Sequence, residues 1–159
     1  MRIIDFQSTP VHEFRYLNAG RSAGSFFESR IPVHCARVDR LPEGVAALVA
    51  TADLQGRELF EESLNGSIRL LGEALPRRLV NEVFPMLRLH PLPDVLLVHD
   101  GPDGPLTGQR GLSRVRELLE ASGMGLVIRG HAHWEQPLAE FPGGLQVLNV
   151  DERVVVLRS

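Results

Sequence analysis

Residues 125–134 read Gly-Leu-Val-Ile-Arg-Gly-His-Ala-His-Trp: a short apolar run between glycines, followed at once by two histidines one residue apart. Such a run predicts a buried strand, Gly125 to Arg129, that stops abruptly at a polar loop. The same pattern occurs twice upstream. Val45 to Thr51 is an apolar run leading into Asp53-Leu54-Gln55-Gly56-Arg57, and Asp94 to Val98 runs into His99-Asp100-Gly101-Pro102. Ligands of open α/β sheets collect outside the carboxyl ends of the strands. The expectation is therefore an α/β fold with a site built at strand ends.

The remaining segments fit around these runs. Arg2 to Phe6 and Ile31 to Val38 read as short β segments on either side of a polar Gly/Ser stretch, Asn18 to Ser29. From Ser67 to about Phe84, Ile68, Leu71, Leu75, Leu79 and Val83 recur at the spacing of one helix face, with Pro76 marking a kink or a break into two helices. Pro85 to Pro93 reads as a connector. Ser113 is placed to cap a helix that buries Val115, Leu118 and Leu119 and ends near Gly123. Finally, Gln136 to Phe141, a turn at Pro142 to Gly144, Leu145 to Val150 and Arg153 to Leu157 predict an antiparallel meander. No repeat or linker divides the chain, so residues 1–159 are expected to form one domain.

At 159 residues, 43% hydrophobic and 23% charged, the chain has enough apolar content to bury its own core. No apolar run approaches the roughly 20 residues of a membrane helix, and the first ten residues lack the pattern of a secretory signal, so a cytoplasmic protein without membrane contact is expected. All 17 basic residues are arginine, which excludes chemistry centred on a lysine Schiff base or a phosphate-loop lysine. The arginines are scattered, the net charge is −3, and no aromatic row accompanies them, so nucleic acid is not an expected partner. Cys35 is the only cysteine and reads as a small buried side chain. Any metal site must therefore use imidazole, carboxylate and amide donors.

His131 and His133 can diverge from a tight loop opened by Gly130 toward two neighbouring positions. Imidazole together with a carboxylate such as Asp53 suits manganese or iron, with zinc a further option. Taken singly, each feature has a plainer reading: a histidine pair without metal, a satisfied histidine at position 99, an Asp53 that caps a helix. Their joint placement after buried-strand patterns favours a common site. Trp134 reads as packing beside that site, and His12, His34 and the Arg77-Arg78 pair have no pattern that joins them to it.

At these residues the chain resembles the calcineurin-like metallophosphoesterases. GHAHW matches their Gly-His-x-His motif, VLLVHDGP resembles their strand-His motif, and VATADLQGRE resembles their opening Asp-x-His-Gly with Gln55 in place of histidine. LQVLNVDERVVVLR looks like their final strand pair. The resemblance implies a reduced sandwich of mixed β-sheets with flanking helices, one or two divalent ions, and hydrolysis of a small phosphomonoester or phosphodiester. It assigns Asp53, Gln55 and His133 to one ion and His99 and His131 to the other. Asp53, His99, His131 and His133 are then the catalytic set, with Asp100 and Arg57 as supporting or phosphate-contacting groups.

The family's central motifs, Gly-Asp-x-x-Asp and Gly-Asn-His-Asp/Glu, do not occur between Arg57 and His99. Two dications about 3.5 Å apart repel by roughly 19 kcal/mol at an effective dielectric near 20, and a bridging carboxylate normally offsets that. With Asp53 the only matched anionic ligand and Glu73 placed in an apolar-periodic helix, a mononuclear site or none is expected. Weak hydrolysis is the first reading. A catalytically inactive binding module that keeps the fold is the second, and a fragment or internally deleted product that self-associates through an exposed sheet edge is the third.

Overall fold

The computed structural model describes residues 1–19, 24–52 and 93–159. The predicted helix at 67–84 and the connector at 85–93, up to residue 92, lie outside the described residues. So do Asp53, Gln55, Arg57 and Glu73.

Nine strands and one helix are found among the described residues: β1 (Ile3–Phe6), β2 (His12–Ala19), β3 (Phe26–Val38), β4 (Leu48–Thr51), β5 (Leu96–Val98), α1 (Ser113–Ser122), β6 (Leu126–Arg129), β7 (Leu138–Glu140), β8 (Gln146–Asn149) and β9 (Val154–Arg158). They form two mixed sheets. The first is ordered β1-β3-β9-β4, with β2 also paired to β3, and the second β5-β6-β8-β7. Neither closes into a barrel.

β3 organises the first sheet because its two halves bury opposite faces. Ser29, Ile31 and Val33 are buried, then the alternation shifts by one residue and His34, Ala36 and Val38 are buried instead. Side chains alternate across a strand, so the shift turns the strand's buried side over. Ile31 and Val33 pack with Val154, while Ala36 and Val38 pack with Ile3, Leu48, Val155 and Leu157. That second cluster also contains Leu126, Ile128 and Leu148 of the other sheet, so the two sheets share a core. The opposite face of the second sheet packs Val98, Val127 and Val147 against Val115 and Leu119 of α1 and against Trp134.

A buried amide joins the sheets at one edge. Gln146 accepts a hydrogen bond from the Ile3 N–H at 2.7 Å and donates to the Ile3 carbonyl at 2.8 Å. Its Nε2 also donates to Glu140.

Several sequence expectations change in detail. Residues 18–19 and 26–29 are strand rather than spacer, and residues 12–17, left unassigned by the sequence, join them, because the segment pairs in a continuous register from His12↔Val33 to Ala19↔Phe26. β4 and β5 are shorter than expected and stand at the ends of their sheets, which leaves Val49 to Thr51 half-buried. Ser113 is the first helical residue and not the cap; Leu112 holds that position without a side-chain bond, and Gly123 ends the helix with φ 79° as expected. β7 and β8 make the antiparallel pair, but β9 crosses to the other sheet and runs parallel to β3. β8 already has β6 and β7 on its two edges, so it has no edge to offer β9.

Candidate metal centre

β5, β6 and β8 run parallel, so their carboxyl ends emerge on one side. Beyond them lie His99-Asp100, Gly130-His131 and Asp151-Glu152. Backbone bonds lock this edge: Gly130 N–H donates to the His99 carbonyl at 3.1 Å, and Val150 N–H to the Arg129 carbonyl at 2.8 Å. The crossover from β8 to β9 brings in the first sheet as well, because Ala52 forms a parallel bridge with Asp151.

Among the described residues, two groups of side chains have ligand atoms close enough together to coordinate an ion. In the first, one donor atom from each of His99, Asp100 and His131 lies within 4.8 Å of the others. The two imidazole centroids are 5.0 Å apart, and His131 Nε2 is 3.2 Å from Asp100 Oδ1. Two imidazoles and one carboxylate with partial solvent access fit a divalent ion that keeps open coordination positions. The second group is His133, Asp151 and Glu152, in which His133 Nδ1 is 3.4 Å from Asp151 Oδ2.

Backbone strain marks both groups. His131 at φ 69° and Glu152 at φ 53° are the non-glycine residues with left-handed backbone among the described residues. The turn was expected to rest on Gly130, yet His131 itself adopts the left-handed conformation. Such residues cost about 1–3 kcal/mol each and persist where surrounding contacts fix them. Here Asn149 provides one such contact, donating Nδ2–H to the Ala132 carbonyl at 2.8 Å, between the two histidines.

A second layer of contacts shapes the entrance. Arg129 is buried, with its guanidinium carbon 5.1 Å from the Trp134 ring centroid, and its Nη1 donates to the Arg110 carbonyl. Trp134 Nε1–H donates to the same carbonyl at 2.8 Å. Gly101 lies so close to Arg129 that an added Cβ would stand 2.7 Å from the Arg129 Cβ, so this packing requires glycine after Asp100. The result is a cleft of about 640 Å³ lined by Thr107, Arg110, His131, His133 and Glu135, among others. Trp134 thus packs behind the wall, fully buried.

Arg153 lies beneath the second group. Its Nη2 donates to the Trp134 carbonyl at 2.6 Å and stands 3.0 Å from Nε2 and 3.3 Å from Nδ1 of His133. Its Nε donates to the Asp151 carbonyl at 3.2 Å. Burial lowers the guanidinium's pKa from its ordinary value, while the charges of Asp151 and Glu152 oppose that shift.

Of the residues expected from sequence, His99 and His131 stand together, His133 belongs to the second group, and Asp53 and Gln55 lie outside the described residues. Asp100 comes within ligand distance, closer than its supporting role suggested. Asp151, Glu152, Arg153 and Arg110 were not singled out by sequence reasoning. The charged triplet Asp151-Glu152-Arg153 between two apolar runs was the available signal. No protein-family model, curated protein or solved structure matches the chain. No helix among the described residues is long and apolar enough to cross a membrane.

Proposed function

We propose that the chain is a reduced metallophosphoesterase-like hydrolase that uses a divalent ion, manganese or iron before zinc, to cleave a small phosphoester. One observation carries this reading: donor atoms of His99, Asp100 and His131 within 4.8 Å of one another, beside a cleft of about 640 Å³. An ion there would supply Lewis acidity toward a phosphoryl oxygen and acidify water. His99 and His131 offer the imidazole donors, and Asp100 the carboxylate that offsets the ion's charge. The exposed Arg110 side chain, on the cleft wall, suits a phosphate oxygen, because guanidinium presents a planar fork of donors. Asp53, the residue after Ala52 in the chain, is the further ligand that the Asp-x-His-Gly resemblance assigns.

The test is ion content and hydrolysis of an aryl phosphate monoester and diester by chain loaded with Mn²⁺, beside His131→Ala and Asp100→Asn. The reading expects retained ion and slow cleavage in the wild type, with both lost or reduced in the variants. Ion without cleavage selects the binding-module reading. Equal ion content in all three proteins removes the site.

A further inference from the structure

The group formed by His133, Asp151 and Glu152 has the spacing of a cation site, and a cationic side chain, Arg153, already lies against its imidazole. Arg153 is 4% exposed, and its guanidinium satisfies the Trp134 and Asp151 carbonyls while lying against His133. Near-equal distances to both ring nitrogens put Nη2 over the imidazole face, not along either lone pair. Asp151 is itself buried, and a buried carboxylate needs a compensating charge. Arg153, two residues along the same crossover, places a positive charge near it: the guanidinium bonds the Asp151 backbone carbonyl and feels the Asp151 charge through space.

We propose that Arg153 takes the place of a second ion, closing the His133–Asp151–Glu152 group to divalent cations and leaving a mononuclear centre on His99, Asp100 and His131. A dication entering the second group would meet the guanidinium at near-contact distance and be repelled by it. The guanidinium cannot lose its proton at any ordinary pH, so the exclusion is permanent and not gated by acidity. The word mononuclear rests on the function proposed above; the exclusion of metal by Arg153 does not.

The experiment counts Mn²⁺ per folded chain in wild type, His133→Ala and Arg153→Met, with folding checked by circular dichroism. Wild type and His133→Ala are expected to hold the same amount, one ion each. Arg153→Met is expected to hold one more, and Arg153→Met combined with Asp151→Asn to lose that extra ion. A lower content in His133→Ala than in wild type overturns the inference, and this arm suffices if Arg153→Met does not fold, since His133 is half exposed. A folded Arg153→Met with no extra ion also overturns it. If wild type holds none and Arg153→Met holds one, the exclusion stands while the His99 centre fails.

Discussion

The Asn149 side-chain amide spans 2.8 Å to the carbonyl of Ala132, and so ties the end of β8 to the loop that carries His131 and His133 on either side. Asn149 is fully buried, and its backbone N–H donates to Pro137 while its Oδ1 accepts from Asp151 N–H at 3.3 Å. One residue therefore fixes the histidine loop, the chain that follows it and the crossover to β9.

Asn149→Ala is expected to remove the hydrogen bond to the half-buried Ala132 carbonyl, at a cost of about 0.5–1.5 kcal/mol. Urea denaturation would give that loss. Because the same bond holds the loop that orients His131, Mn²⁺ affinity should fall by about 10–100-fold, the usual consequence of losing a group that orients ligands. Unchanged affinity in a destabilised variant would show that the loop keeps its shape without Asn149.

Replacing His131 separates the cost of its backbone from its use. At φ 69°, glycine relieves a strain that alanine keeps. His131→Gly should therefore be more stable than His131→Ala by about 1 kcal/mol, or about 2–4 °C in Tm at this size. Both variants should lose the ion equally. Identical melting temperatures would mean that the left-handed turn relaxes once the imidazole is gone.

How much of this was legible depends on the range of the contact. The strand ends at His99 and Gly130 follow from local composition, since an apolar run that stops at Gly or His is visible in one window. The helix after Leu112 and its Gly123 stop were equally local. The shift of buried face at Val33 and His34 was not legible, because it reflects which sheet lies on each side of β3. Nor was the sheet switch between Asn149 and Val154: an apolar-turn-apolar pattern reads as a hairpin until the competing edges of β8 are known to be filled. Asp151, Glu152 and Arg153 gain their place in the site only through that switch.

The Gln146 amide offers a test of the shared core. Gln146→Leu keeps a side chain of similar size but leaves the Ile3 N–H and carbonyl without their partner. Each unpaired buried group costs about 1–3 kcal/mol, partly offset by the apolar replacement. A net loss of roughly 2–4 kcal/mol in denaturant melts is expected, with ion content unchanged because the lesion lies away from the strand ends carrying His99 and His131. A loss below about 0.5 kcal/mol would mean that β1 docks by its apolar contacts alone.

His34 gives the fold a pH dependence of definite sign. Its Nδ1–H donates to the Gln7 carbonyl at 3.2 Å, and its ring stacks on Phe6 with centroids 5.7 Å apart. Burial lowers its pKa below the ordinary 6.5, the Gln7 bond opposes that shift, the nearby Arg153 charge adds to it, and the Ser8 backbone opposes it slightly. Between the folded and unfolded pKa values the unfolded chain binds more protons, so stability rises with pH there. The contribution is fully present above about pH 6.5 and is lost as the solution is acidified toward the folded value. In His34→Gln that dependence disappears, so the stability difference between wild type and variant, measured in urea from pH 5 to 8, should grow with pH and level off near 7. A difference that is flat, or that shrinks as pH rises, would show that the imidazole is protonated as readily inside the fold as outside it.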